Sequence, residues 1–420
     1  MYQRNKKIIA MLHYAGPPTI GGVELTIYHH ARLCADEGYG VKLLAGCVTP
    51  FYEGVETVNL PLIGSRHERV LSVNRELSQG KVTPAFMSLR DEIYGELSTL
   101  LADTDLCILH NVLTLHKNLA LTAALYEFLQ KNDLPLLAWC HDFAWEDKLY
   151  IPELYDDYPW NLLRMPWPKV KYIAVSEYRR EILARLLGIS EIEVVTPGVD
   201  AMDFWDLEPL TGQLITKLGL LSAEPLILLP ARLTRRKNIE FAVEVMGKLV
   251  SLMPGAILLV TGPPGPHNPK NAEYLIQLKD LRDTMGLRNH LFFLYEHGDK
   301  TGTPLEIPDK VMADLYQVAD LMIFPSREEG FGIPVLEAGL ARLPVFASDI
   351  PPVRESGAGW VNLFNRNDSP HTVAHAISDY LTRDSAWQLR KRVLKNFTWK
   401  SIWEKKLKPL MEGAFKMVRH

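Results

Sequence analysis

The stretch Ser326 to Gly339 (SREEGFGIPVLEAG) constrains this chain most, because the end of a strand, a glycine-rich turn and a helix start follow one another within it. Just upstream, Ala319-Asp-Leu-Met-Ile-Phe-Pro325 is apolar nearly throughout and stopped by a proline, which predicts a short buried strand. Gly330 and Gly332 flank Phe331 and suit a tight turn where a ligand can approach the backbone closely. Pro334 fits the first helical position, where its missing N–H costs nothing, so a helix is predicted from there through Val335, Leu336, Glu337 and Ala338. The first amides of such a helix lack backbone partners and sit at the positive end of its dipole, which makes an anion site, most naturally for phosphate. Glu329 before the turn and Glu337 in the first helical turn bracket that site, with seven residues between them. Carboxylates repel phosphate and hold hydroxyls as acceptors, so a ligand with both phosphate and sugar hydroxyls fits.

The same order of strand, turn and helix recurs along the chain. Strands are predicted at Lys7–Tyr14, Val41–Ala45, Leu106–Leu109, Leu134–Cys140 and Tyr172–Ser176, then at Pro225–Ala231, Ala256–Val260, Leu291–Tyr295 and Pro344–Ala347. Helical patterns such as Asn118–Gln130 and Ile239–Leu249 alternate with them, as in a parallel sheet covered on both faces. Ligands collect at the carboxyl ends of such strands. Four kinds of residue stand there: the glycines of the loop Ala15–Gly22, including Gly21 and Gly22; His110 and Asn111; His141 and Asp142; and the cationic turn Arg232-Leu-Thr-Arg-Arg-Lys-Asn238. Gathering four positive charges at one strand end is costly without an anion, so phosphate binding is expected at that turn.

Taken together, the stretch around Glu329 and Glu337 resembles the E-x7-E signature of retaining nucleotide-sugar glycosyltransferases of family four. That resemblance implies the GT-B fold: α/β, two Rossmann-like doubly wound domains facing across a cleft. Domain limits are expected at 1–200, with a crossover helix at about 400–420 returning to the first domain, and at 201–399. The resemblance also assigns roles. Gly21-Gly22-Val23-Glu24 is similar to the family's G-G-x-E loop near the donor phosphates. Arg232 and Lys237 match its R-x4-K pair, which holds the diphosphate, while Arg235 and Arg236 fall outside the match. Gly262 lies in the loop expected near the nucleotide, and His141 matches the active-site histidine that contacts the donor sugar. Glu337 is expected on the ribose, with Glu329 and the turn Gly330, Phe331, Gly332 and Ile333 orienting the transferred sugar; the amides of Val335 and Leu336 meet the phosphates. The implied reaction moves a hexosyl group, of glucose or mannose type, from a nucleoside diphosphate sugar to an acceptor hydroxyl, with retention and without a metal cofactor. A sugar-nucleotide epimerase and a noncatalytic nucleotide-sugar binding protein are the rival readings. Departures from the family pattern are Thr196-Pro197 before Gly198-Val-Asp200, the proline-rich loop from Thr261 through His267 and Asn268, and the long loop Glu296–Pro308.

A formal net charge of -4 argues against nonspecific nucleic-acid binding. Cys34, Cys47, Cys107 and Cys140 lie far apart in apolar contexts and read as reduced core residues of a cytoplasmic protein. Asp103-Thr-Asp105 looks like a D-x-D metal motif but precedes its strand, at the wrong end for a ligand. Phe143–Pro168 is rich in Trp and Tyr without periodicity: its aromatics either stack on sugars, sit at a membrane interface, or pin a long loop to the domain. Arg66, His67, Arg69, Arg75 and Lys81 cluster near no evident core pattern, either as a solvated surface or as a site for an anionic acceptor. A carbohydrate, a phosphorylated metabolite and a lipid-linked sugar all stay open as acceptors. Apolar runs are too short to span a bilayer, which leaves at most peripheral membrane contact.

Overall fold

The computed structural model describes residues 6–19, 21–265, 270–298 and 304–416. It divides into two units, one built from the residues up to Val199 together with those from Phe397 onward, the other from Asp200–Asn396.

The first unit carries a parallel sheet whose strands are β1 (Ile8–His13), β2 (Gly40–Ala45), β3 (Val55–Asn59), β4 (Leu106–His110), β5 (Leu136–Cys140), β6 (Val170–Ala174) and β7 (Ile192–Val194). They lie in the order β3-β2-β1-β4-β5-β6-β7. The strands β1, β4 and β5 have helices on both faces and are buried at nearly every position, which is why they read as continuous apolar runs. Helix starts follow local chemistry. Asn118 caps Leu119–Lys131 by accepting from the Leu121 amide, and Ser176 caps Glu177–Leu187 by accepting from Arg179. The returning segment from Phe397 pairs Val199 with Phe397 and Trp399 through backbone bonds of 2.8 and 3.1 Å. Its helical residues Trp399, Ile402, Trp403, Leu407 and Met411 then enter the core with Ile9, Met11 and Ile27.

In the second unit the strands β8 (Leu226–Leu229), β9 (Ile257–Val260), β10 (Leu291–Phe293), β11 (Leu321–Phe324), β12 (Val345–Ser348) and β13 (Asn362–Phe364) are also parallel, in the order β10-β9-β8-β11-β12-β13. Both sheets therefore reverse direction beside their first strand, between β1 and β4 and between β8 and β11. The crevice at such a reversal is where doubly wound sheets hold ligands.

Several expectations need correction. The strand expected over 319–325 is confined to Leu321–Phe324. The helix after the glutamate turn starts at Ile333, so Pro334 occupies its second position. Between 201 and 224, where the sequence pattern gives a polar linker with one short helix, there are two α-helices, Ala201–Trp205 and Pro209–Leu218. The basic segment 64–81 does have a core pattern: Glu68–Leu77 is a helix that buries Val70, Val73 and Leu77. Cys47 is exposed, unlike the other three cysteines, because it follows β2 in a surface turn. The aromatic segment after β5 is a loop with three short 3-10 turns, pinned by buried Phe143, Trp160 and Trp167. Its tethering reading holds, and Leu149 and Ile151 are among its exposed apolar residues. His267 and Asn268 lie outside the described residues, as do parts of the Glu296–Pro308 loop and the last residues of the crossover segment.

Candidate functional site

The loops after β8 and β11 meet at the second unit's reversal point. The backbone joins them first: the Arg327 amide donates to the Arg236 carbonyl at 2.8 Å. Side chains then complete the junction. Lys237 is buried, and its Nζ lies 2.5 Å from Glu329 Oε1. Arg236 reaches the other carboxylate oxygen, Oε2, at 3.3 Å and donates to the Glu328 carbonyl at the same distance. Two cations thus share one carboxylate. The sequence reading placed Lys237 on the phosphates and Glu329 on the sugar as separate groups, whereas the structure couples them. It also moves Arg236 into the site. Arg235, by contrast, turns away to Gln277 at 2.8 Å.

Glycine geometry shapes the same place. Gly332 caps the helix Ile333–Leu340 at φ +95, a conformation that side chains with a Cβ rarely adopt. The Val335 amide donates to the Gly332 carbonyl at 2.9 Å, so it is not one of the free donors expected in this first turn. Leu336, Ile333 and Phe331 are exposed on its surface. At Gly262 a Cβ would run into the Ala231 carbonyl and lie 2.6 Å from the Arg232 Cα, so only glycine lets the loop after β9 lie against the cationic turn. The Leu233 amide to the Pro263 carbonyl, at 3.0 Å, fastens the two loops. A cleft of about 720 Å³ is lined by Arg232, Gly262, Tyr295, Pro334 and Glu337 among others. Glu337 is held in it by the Tyr316 hydroxyl, which donates at 2.6 Å. Burial, and then that carboxylate, push the Tyr316 phenol well above its ordinary range, so it stays a donor.

In the first unit His141 follows β5. Its amide donates to Asn111 Oδ1 at 2.7 Å, and its Nε2 lies 3.5 Å from His110 Nδ1. Asn111 itself adopts φ 60 and also accepts from the Asp142 amide at 3.1 Å, so one side chain joins the ends of β4 and β5. Burial drives the His141 imidazole down to about 4, leaving it neutral at pH 7. Gly21 precedes the helix Gly22–Asp36, and a Cβ there would strike the Glu24 carboxylate. Glu24 in turn lies 3.9 Å from His13 Nε2. The decoy acids are engaged elsewhere: Asp103 holds Lys42 at 2.6 Å, and Asp105 accepts from the Ile8 amide at 2.7 Å. Among the described residues no cluster of three or more His, Cys, Asp or Glu side chains is placed to share a metal ion.

Two family profiles match consecutive halves of the sequence: "Glycosyltransferase Family 4" over residues 20–202 and "Glycosyl transferases group 1" over residues 213–397. The chain belongs to the family-four glycosyltransferases, with the GT-B pair of domains. It is 28% identical over 400 residues to the mannosylglucosylglycerate synthase of Thermotoga maritima, covering 85% of each chain. Against the Petrotoga mobilis protein of the same name it is 24% identical over 285 residues, covering 62% of this chain and 63% of that one. Among solved structures, sucrose-phosphate synthase from Thermosynechococcus elongatus overlaps 98% of the chain at 17% identity and a TM-score of 0.39. This enzyme transfers sugar from a donor to an acceptor. No helix among its described residues is long and apolar enough to cross a membrane.

Beyond the motif residues, the glycosyltransferase carries a supporting set that the sequence reading missed. Arg327 donates to Asn238 Oδ1 at 2.9 Å and to Glu240 Oε1 at 3.0 Å, and Glu240 also accepts from the Tyr274 hydroxyl. This network clamps the cationic turn to the glutamate turn. Asn238, at φ 52 and directly after Lys237, was the available signal, since asparagine is the side chain most often found in that conformation.

Proposed function

We propose that this glycosyltransferase moves a hexosyl group, of glucose or mannose type, from a nucleoside diphosphate sugar to an acceptor hydroxyl, with retention of configuration and without a metal. The observation that carries the reading is the buried Lys237–Glu329 pair at the β8–β11 reversal, with Arg236 sharing the carboxylate. Excess positive charge beside a cleft that also holds Arg232 and Glu337 suits a ligand that is anionic at one end and hydroxylated at the other. In this reading Arg232 and Lys237 meet the charge that grows on the leaving diphosphate, as fixed donors that need no reorganisation. Those cations do the work a divalent ion would otherwise do. Glu337 takes the ribose hydroxyls, and Glu329 with the turn from Gly330 to Ile333 orients the transferred sugar. His141, neutral at pH 7, offers that sugar a hydrogen-bonding partner without a charge. The relatives named for mannosylglucosylglycerate agree with a hexosyl donor of one of these two types.

Calorimetric titration of UDP, GDP and ADP, first without and then with a divalent metal, tests the donor site. Selective binding of one nucleotide without metal is expected. Binding of none would refute the site. Release of nucleoside diphosphate only when an acceptor is supplied separates transfer from epimerisation, and proton NMR of the product's anomeric centre checks retention.

A further inference from the structure

The first unit contains a second concave site whose residues the donor chemistry does not use. A pocket of about 430 Å³ is lined by Ser65, Arg66, His116, Lys117, Glu153 and Trp160 among others. Its walls are the segments after β3, after β4 and after β5, so it opens at the carboxyl edge of the sheet, where parallel strands present their ligands. These walls are tied together. Asn118 Nδ2 donates to the Leu62 carbonyl at 2.9 Å, and Asn74 Nδ2 to the Lys117 carbonyl at 2.8 Å, which fastens the β4 loop to the β3 segment. The Tyr155 hydroxyl donates to the Ser78 carbonyl at 3.1 Å and brings in the third wall.

Charge in this pocket is unbalanced. Lys117 Nζ donates to the Tyr150 hydroxyl at 3.0 Å and lies 4.2 Å from that ring's centroid, both neutral partners. Among the described residues Arg66 makes no ion pair. The pocket's acid, Glu153, lies 3.5 Å from His116 Nε2, and its side chain is 51% exposed, so solvent screens it. Burial and the neighbouring Lys117 hold the His116 imidazole below its usual range, which makes it a neutral polar group near pH 7. Two cations thus face a small tethered cavity whose lining carries one carboxylate, the solvated Glu153, with Asp147 a further acid near His116 but outside the lining, and a compact anion completes such a site. The volume suits a small molecule.

We propose that this pocket seats the anionic group, a carboxylate or a phosphate, of a small hydroxylated acceptor, with Arg66 and Lys117 as its charged contacts. Calling the ligand the acceptor rests on the transferase reading above; the anion site does not.

The test uses the full chain and three probes of similar size: D-glycerate, glycerol phosphate and neutral glycerol, titrated by calorimetry or ligand-observed NMR. Both anions, or one of them, should bind while glycerol does not, and the tighter of the two identifies carboxylate or phosphate as the group taken. Arg66→Gln and Lys117→Gln should each weaken that binding by about ten- to a hundred-fold, the range for a lost charge-assisted hydrogen bond. Arg66 is exposed on a loop, so its variant serves as the test if the Lys117 variant fails to fold. Nucleotide binding on the same samples should be unchanged, since the donor residues Arg232, Lys237 and Glu337 belong to the other unit. Absence of anion binding by the unmodified protein, or anion binding equal in both folded variants, overturns the proposal. Arg66-dependent anion binding in a protein that never releases nucleoside diphosphate would overturn the acceptor role and, with it, the transferase reading.

Discussion

Lys237 shows how one side chain can serve structure and chemistry together. Its ammonium is buried against Glu329 and lies 5.1 Å from the Phe324 ring centroid, so removing it leaves a carboxylate, 7% exposed, with Arg236 as its remaining charged partner. Breaking a buried pair from one side costs more than the pair is worth, because the uncompensated charge stays behind. Lys237→Ala should therefore slow transfer by roughly ten- to a hundred-fold through the lost phosphate contact. It should also lower stability, which a phosphate contact alone would not do. Glu329→Ala should slow transfer too. If the two side chains act as one unit, the double variant will lose much less than the sum of the single losses, with a coupling of about 0.5–3 kcal/mol. Steady-state kinetics and urea unfolding on the four proteins measure both quantities, and strict additivity would show that the two side chains work independently.

At the scale of elements, the two turns at the β8–β11 reversal are conformationally specified at single positions. Gly332 holds φ +95, and a Cβ there would also come within 3.1 Å of Ser356 Oγ. Gly332→Ala should cost about 1–3 kcal/mol of backbone strain and weaken nucleotide-sugar binding by tilting the helix start. Gly339→Ala in the same helix meets open space and should be neutral or stabilising by up to about 1 kcal/mol. Thermal unfolding of the pair decides this, and equal effects would show that the turn tolerates a side chain. These turns were readable in the sequence because their signals are local: paired glycines, an adjacent proline, a run of cations. What joins them was not readable. Lys237 and Glu329 stand 92 positions apart, and nothing in a single chain says that one will neutralise the other. Likewise, Arg236 enters the site and Arg235 leaves it because the short 3-10 turn Arg235–Lys237 sends adjacent side chains in different directions. The helix Glu68–Leu77 was legible at Val70, Val73 and Leu77, but the surrounding charges drew attention to its exposed face. The edge strands β3 and β13 were missed for a different reason. Val55–Asn59 and Asn362–Phe364 are short and partly exposed, so they lack the continuous apolar run that marks a central strand.

Across the whole molecule, the response to acid should be set by the first unit. Its core holds His30 on the helix Gly22–Asp36, 4.5 Å from the Trp139 ring centroid and 5.6 Å from that of Trp399, with both ring nitrogens lacking a hydrogen-bond partner among the described residues. Burial pushes this imidazole down to about 3, and neighbouring His141 to about 4; His110 is lowered well below the usual histidine range by the same cause. Above pH 6.5 such a histidine is neutral folded or unfolded and adds no pH dependence. Below 6.5 the unfolded chain takes up a proton that the folded core refuses, so stability falls with pH until the folded value is reached. Each such group contributes about 1.4 kcal/mol per pH unit in that window. His30→Phe keeps an aromatic ring against Trp139 and removes one titrating site. Urea unfolding between pH 7 and 5, referred to the transition of the first unit, should lose stability steeply in the unmodified protein. In the variant the slope should be shallower by about 1.4 kcal/mol per pH unit. Identical slopes would mean that His30 is not the neutral, unpaired group its surroundings describe.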